Sequence, residues 1–301
     1  MNGILMALFG TLGTFLITAL GAAGIFFVRR EVSGNLQCGF LGFAGGVMIA
    51  ASVWSLLLPG IDFAEANGQV GWLVMTGGFL LGVITLLVAD GLMKAWYERE
   101  KSTQLTLGKS TAMLIIAITT HNIPEGMSVG LAFALAGQNM QDTALLSGAV
   151  ALAIGIGIQN FPEGTAVALP LVKEGVSKKR AFVIASMTAV VEPLFGVLAA
   201  VFARFANASI AILLAFAAGT MIYVVVEELI PQAHMGENGK MGTLGFVVGF
   251  LVMMILVTGN IRSSKAALYI ILFIDDILLA GFLAILIGST LYLIGTGSST
   301  P

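Results

Sequence analysis

Two six-residue stretches decide how this chain folds: His121-Asn122-Ile123-Pro124-Glu125-Gly126 and Gln159-Asn160-Phe161-Pro162-Glu163-Gly164. They share one pattern, an amide or imidazole, Asn, an apolar residue, then Pro-Glu-Gly. They lie 38 residues apart, each near the middle of a long apolar run. An ionisable side chain at the centre of a membrane span costs about 2.5–3.5 kcal/mol on insertion scales, so such residues are functional candidates by default. A short link, Gly137 to Asp142, joins the two runs, which therefore cross in opposite directions. An inverted repeat with polar residues at midplane is the arrangement of transporter sites.

The surroundings agree. Of 301 residues, 58 % are apolar and 10 % charged, with a mean hydropathy of +1.00. Soluble domains carry about 25 % charge, so a water-soluble enzyme is excluded. The net charge of −2 gives no basic surface for nucleic acid. The single cysteine, Cys38, rules out a disulfide or a Cys-based zinc site within one chain.

A span needs about 20 apolar residues. Eight are expected: Gly3–Val28, Gln37–Leu58, Gly71–Met93, Thr111–Ala136, Thr143–Leu171, Ala181–Phe205, Ala208–His234 and Gly242–Thr258. A further apolar stretch, Ala266–Ile294, is interrupted by Asp275-Asp276. Residues 1–259 thus read as one transmembrane domain and 260–301 as an extra hydrophobic segment of unassigned role. Eleven of the 14 Lys and Arg fall on one side of this arrangement. The positive-inside rule makes that side cytoplasmic and puts the N-terminus outside. Loops Pro59–Val70 and Gly137–Asp142 then face out, carrying Asp62, Glu65 and Asp142. They form either a cation-attracting vestibule or ordinary acidic loops.

Helical spacing groups the polar residues. His121 and Glu125 are i and i+4, as are Gln159 and Glu163; Asn122 with Glu125 and Asn160 with Glu163 are i and i+3. Each Glu reaches two clusters, one with His121 and Gln159, the other with Asn122 and Asn160. Pro124 and Pro162 are expected to kink their helices and free the carbonyls of Thr120 and Ile158. Carboxylates, an imidazole and amide oxygens at one depth suit a divalent cation, and His nitrogen and carboxylate oxygen are normal zinc ligands. The alternative is a pair of proline kinks with polar residues bonded across helices.

Glu192, before Pro193 in the sixth span, could complete the second cluster. Glu227-Glu228 and His234 read as an exit or gate, or as a solvated helix end. Met48, Ser52 and Ser55 share a stripe of the second span; the Met48 thioether is a soft ligand or a packing group. Asp90 suits the interface. Gly42 and Gly46 can pack helices within a chain or between two, which makes a homodimer a candidate.

At these motifs the sequence resembles the Zrt/Irt-like (ZIP) family of divalent-metal transporters, and most of all its GufA-like bacterial branch, where Gln begins the fifth-span motif. The resemblance runs from Gly3 to Leu256 and includes Gly45-Gly46-Val47-Met48-Ile49-Ala50-Ala51-Ser52, Val191-Glu192-Pro193 and Val226-Glu227-Glu228-Leu229-Ile230-Pro231. It implies an all-α integral membrane protein with eight helices in a 3+2+3 inverted repeat and both termini outside. It implies a first metal held by Met48, His121, Glu125, Gln159 and Glu163, and a second by Asn122, Glu125, Asn160, Glu163 and Glu192. Asp62 would be an entrance residue, and Met221 and Glu228 parts of the path. Asn160 stands where some relatives carry Asp, which makes the second position less anionic. The implied activity is uptake of Zn2+, with Cd2+, Fe2+ and Mn2+ as further substrates, into the cytoplasm across a bacterial cytoplasmic membrane. No catalytic cofactor is implied. A membrane metal sensor and an intramembrane metalloenzyme are the alternatives. The enzyme reading is the weaker, because an HExxH-type centre needs two His near each other and only His121 and His234 exist.

Overall fold

The computed structural model describes residues 3–27, 34–99, 109–205, 209–233 and 239–258. All regular elements among them are helical. In chain order they are α1 (Gly3–Ala23), α2 (Gly34–Ala51), α3 (Leu58–Ala66), α4 (Gly71–Arg99), α5 (Lys109–Gln138), α6 (Thr143–Lys173), α7 (Lys178–Thr188), α8 (Val191–Phe205), α9 (Ile210–Val224), α10 (Ile230–Ala233) and α11 (Gly239–Thr258). A π-helical segment, Ser52–Leu57, joins α2 to α3, and another, Val225–Leu229, joins α9 to α10. Among the described residues, seven helical stretches are long and apolar enough to cross a membrane. The eighth expected span, α5, has the length at 30 residues but is not among those seven. His121, Asn122 and Glu125 interrupt its apolar run. His234 and the segment 260–301 lie outside the described residues.

Two expectations about the spans change. Pro59–Val70 is not a loop: the helix passes Pro59 and continues to Ala66, which places Asp62 on an exposed helical turn. A proline ring clashes with the carbonyl four residues earlier, here Ser55, and the wider π turn that ends at Leu57 relieves it. Pro231 follows the second π segment at the same distance, with Glu227 in the place of Ser55. The sixth span, by contrast, is broken. α7 ends at Thr188, a turn at Ala189-Val190 follows, and Glu192 lies in the first turn of α8. Pro124 and Pro162, where kinks are expected, lie inside the continuous helices α5 and α6.

The closest helix pairs are α1 with α6, α5 with α8, α2 with α11 and α4 with α9. Counted as spans these are 1 with 5, 4 with 6, 2 with 8 and 3 with 7. Exchanging 1 for 6, 2 for 7, 3 for 8 and 4 for 5 returns the same set of pairs. The pairs fall into two groups, spans 1, 4, 5, 6 and spans 2, 3, 7, 8. Glycine sets the spacing inside both. A Cβ on Gly42, Gly245 or Gly249 would strike the backbone of the facing helix at Gly242, Gly39 or Phe43. In membranes, where apolar side chains gain nothing by leaving lipid, such close backbone approach supplies the packing energy. α4 shows the other face of the bundle: Trp72, Leu73, Leu80, Leu81, Ile84, Leu87, Val88 and Leu92 are all more than half exposed, as lipid-facing residues are.

Candidate metal centre

The two Pro-Glu-Gly motifs meet where α5, α6 and the start of α8 come together. Their glycines permit it. A Cβ on Gly126 would run into the Glu192 backbone, and one on Gly164 into the Thr18 carbonyl of α1. Spans 4 and 6, and spans 5 and 1, therefore touch backbone to backbone beside the two glutamates. His121, Asn122, Glu125, Gln159, Asn160 and Glu192 are all buried, with Glu163 partly so.

Two hydrogen bonds follow one rule: an amide N–H donates to one oxygen of a carboxyl group on another span. Gln159 Nε2 donates to Glu125 Oε1 at 2.6 Å, and Asn160 Nδ2 to Glu192 Oε1 at 3.0 Å. The Asn122 amide instead donates to the carbonyl of Thr188 at 3.1 Å, where α7 ends. The first two bonds link residues expected to share a cluster.

What is left over is more telling. Glu125 Oε2, Glu163 Oε1, Glu192 Oε2, Gln159 Oε1, Asn122 Oδ1, Asn160 Oδ1 and His121 Nε2 are buried without a hydrogen-bond partner. Apart from the imidazole nitrogen, which can be either, all are acceptors. An unsatisfied buried polar atom costs about 1–3 kcal/mol. The proline-kink alternative accounts for the amide N–H bonds but leaves these atoms unexplained. A surplus of buried lone pairs is what a cation requires. Among the described residues no three of His, Cys, Asp and Glu converge as a metal-binding group. Any cation here would have to take amide oxygens as well.

The remaining candidates are placed differently. His121 Nε2 lies 3.0 Å from Glu228 Oε2, outside hydrogen-bond alignment, and so bridges the two groups of spans. Sequence spacing gives no sign of this long-range contact. Met48 is buried in the apolar core and its carbonyl accepts from Ser52 Oγ at 2.8 Å. None of the described contacts ties its sulfur to the cluster. Met221 is fully buried, whereas Asp62 and Glu227 are exposed. Asp142 caps α6, accepting from Ala144 N at 2.9 Å and Leu145 N at 3.3 Å, which gives it a structural task apart from any vestibule.

Apolar helices long enough to cross a membrane, packed around a cluster of buried acceptor atoms between α5, α6 and α8, define an integral membrane protein. The family model described as "ZIP Zinc transporter" matches residues 100–257. "Zinc transporter ZIP11" of Xenopus tropicalis is 35 % identical, over 85 % of this chain and 97 % of that one. "Zinc transporter GufA" of Myxococcus xanthus is 34 % identical over 79 % and 92 %, and "Zinc transporter ZIPB" of Bordetella bronchiseptica 34 % over 84 % and 80 %. The chain belongs to the ZIP zinc transporter family.

Proposed function

We propose that this protein carries divalent cations, zinc foremost and Cd2+, Fe2+ and Mn2+ as further candidates, into the cytoplasm through the cluster between α5, α6 and α8. The six carboxyl and amide oxygens of the two motifs and Glu192 that lie buried without a hydrogen-bond donor support this reading most directly. The relatives named as zinc transporters support the choice of ion. The first ion would take His121, Glu125, Gln159 and Glu163, with Met48 joining after a rotamer change. The second would take Asn122, Glu125, Asn160, Glu163 and Glu192. Both glutamates of the motifs then bridge. Neutral amide oxygens complete each shell without adding charge, so the ion is not held too tightly to leave.

The helix pairing supports a 3+2+3 inverted repeat, the placement of Lys and Arg supports an outside N-terminus, and the bacterial relatives support a cytoplasmic membrane. Spans 1, 4, 5 and 6 would slide as one body past the other four, carrying the ions. The His121–Glu228 contact would break and re-form as they move. The drive would be the ion gradient and the membrane potential, about 4.6 kcal/mol per 100 mV for a divalent ion moving inward.

Purified protein in proteoliposomes, with an inside-negative potential, tests the proposal. Saturable zinc uptake that Glu125→Ala/Glu163→Ala abolishes is the expected result. Wild-type protein that binds zinc in fixed ratio yet moves none would replace the transporter with a sensor.

A further inference from the structure

Glu192 is held by more than the second motif. Besides Asn160 Nδ2, the Thr18 hydroxyl lies 3.4 Å from the same oxygen, Oε1. Thr14 stands one helical turn before Thr18 on α1. Only Oε2 is left bare.

Thr14 and Thr18 belong to a buried stripe on α1 that begins at Thr11. Each hydroxyl also has an acceptor on its own helix: Ala7 O at 2.7 Å for Thr11, Thr11 O at 3.0 Å for Thr14 and Thr14 O at 3.2 Å for Thr18. The own-helix bond lengthens step by step as the stripe approaches Glu192. A hydroxyl has one proton to give. Threonine back-bonding alone would explain Thr11, whose short bond leaves its proton committed. It does not explain why the hydroxyl beside the carboxyl group makes the longest of these bonds.

The pairing of the helices adds an independent reason. Gly126 of the first motif abuts the Glu192 backbone, and Gly164 of the second abuts the Thr18 carbonyl. The exchange of spans that relates the helix pairs thus carries Glu192 onto Thr18. One arm has a carboxylate at this depth, and the other has a hydroxyl turned towards it.

We infer that Thr18 is a positioning residue for Glu192: it fixes Oε1 so that Oε2 alone is presented to the cation. The inference rests on the cation site proposed above. Groups that orient a metal ligand through a hydrogen bond change metal affinity by about 10–100-fold when removed.

Zinc uptake by the full chain in proteoliposomes tests it, with Thr18→Val, Thr18→Ser and Thr11→Val, each alone and the first also in a Glu192→Gln background. Thr18→Val should raise KM for zinc about tenfold, with maximal uptake changed less. Thr18→Ser should restore KM, Thr11→Val should leave it unchanged, and Thr18→Val should add nothing once Glu192 is Gln. An unchanged KM in Thr18→Val overturns the inference. So does a Thr11→Val effect of equal size, or a Thr18→Val effect that persists with Glu192→Gln. If Thr18→Val does not reach the folded state, Thr18→Ala must raise KM where Thr11→Val does not, or the inference falls. Uptake that survives Glu125→Ala/Glu163→Ala removes the site itself. Uptake lost there with an unchanged KM in Thr18→Val removes only the role of Thr18.

Discussion

A cluster built for a cation should be a burden on the ion-free fold, and Glu163→Gln measures that burden. The replacement keeps the shape of the side chain and exchanges one carboxyl oxygen for an NH2 with two protons. It enters a site whose leftover atoms are nearly all acceptors: Glu125 Oε2, Gln159 Oε1, Asn122 Oδ1, Asn160 Oδ1 and Glu192 Oε2. Satisfying two of them at about 1–3 kcal/mol each is worth about 2–6 kcal/mol to the ion-free protein. That is a large part of the roughly 5–15 kcal/mol by which a whole folded protein typically exceeds its unfolded state in stability. Zinc works the other way. At a hundred times its Kd it adds about 2.7 kcal/mol to any fold that binds it and whose unfolded state does not. The assay is thermal unfolding in detergent, in chelator and in excess zinc. Chelated Glu163→Gln should unfold at a higher temperature than chelated wild type, and the zinc-induced rise should shrink or vanish. A variant less stable than wild type in chelator, with the zinc-induced rise intact, would refute the reasoning. The carboxyl group would then be a satisfied structural element.

Three further outcomes are expected. Gly126→Ala places a methyl group against the Glu192 backbone and should cut zinc uptake more than tenfold in protein that still reaches the membrane, on the order of effect expected for a displaced ligand-orienting group. Gly13→Ala, with open space around it, should leave uptake unchanged. Glu228→Ala should alter the zinc KM only while His121 is present, because the 3.0 Å contact is its link to the site; a kinetic double-mutant cycle checks this. A chain ending at residue 259 should retain saturable zinc uptake, measured in the same vesicles, if 260–301 takes no part in the path.

The motifs are legible in the sequence because membrane interiors penalise what they contain. A glutamate, an asparagine and a proline in mid-span stand out, and helical spacing alone groups His121 and Asn122 with Glu125, and Gln159 and Asn160 with Glu163. Span number is legible for the same reason, and α5 is recognisable despite the polar residues that lower its apolarity. Three features are not. Hydropathy does not distinguish an α-helix from a π turn, so it hides the continuation past Pro59 and its counterpart at Pro231, although a proline four residues after Ser55 or Glu227 is the available signal. The break at Ala189-Val190 follows from no glycine or proline at the turn itself. Its trace lies two residues on, where Glu192-Pro193 has the composition of a helix's first turn, an acidic residue beside a proline. The Thr11-Thr14-Thr18 stripe looks like ordinary helix filler, because what sets its last member apart is a partner 174 residues away. Spacing within one helix is written in the chain. Which helix faces it is decided by glycines such as Gly126 and Gly164, whose meaning emerges only once the backbones they admit are known. If those two glycines fix the distances from Glu192 to Asn160 and Thr18, the ligand geometry is set by helix packing, and substitutions at Gly164 should weaken the second ion's site through Thr18 without touching any ligand.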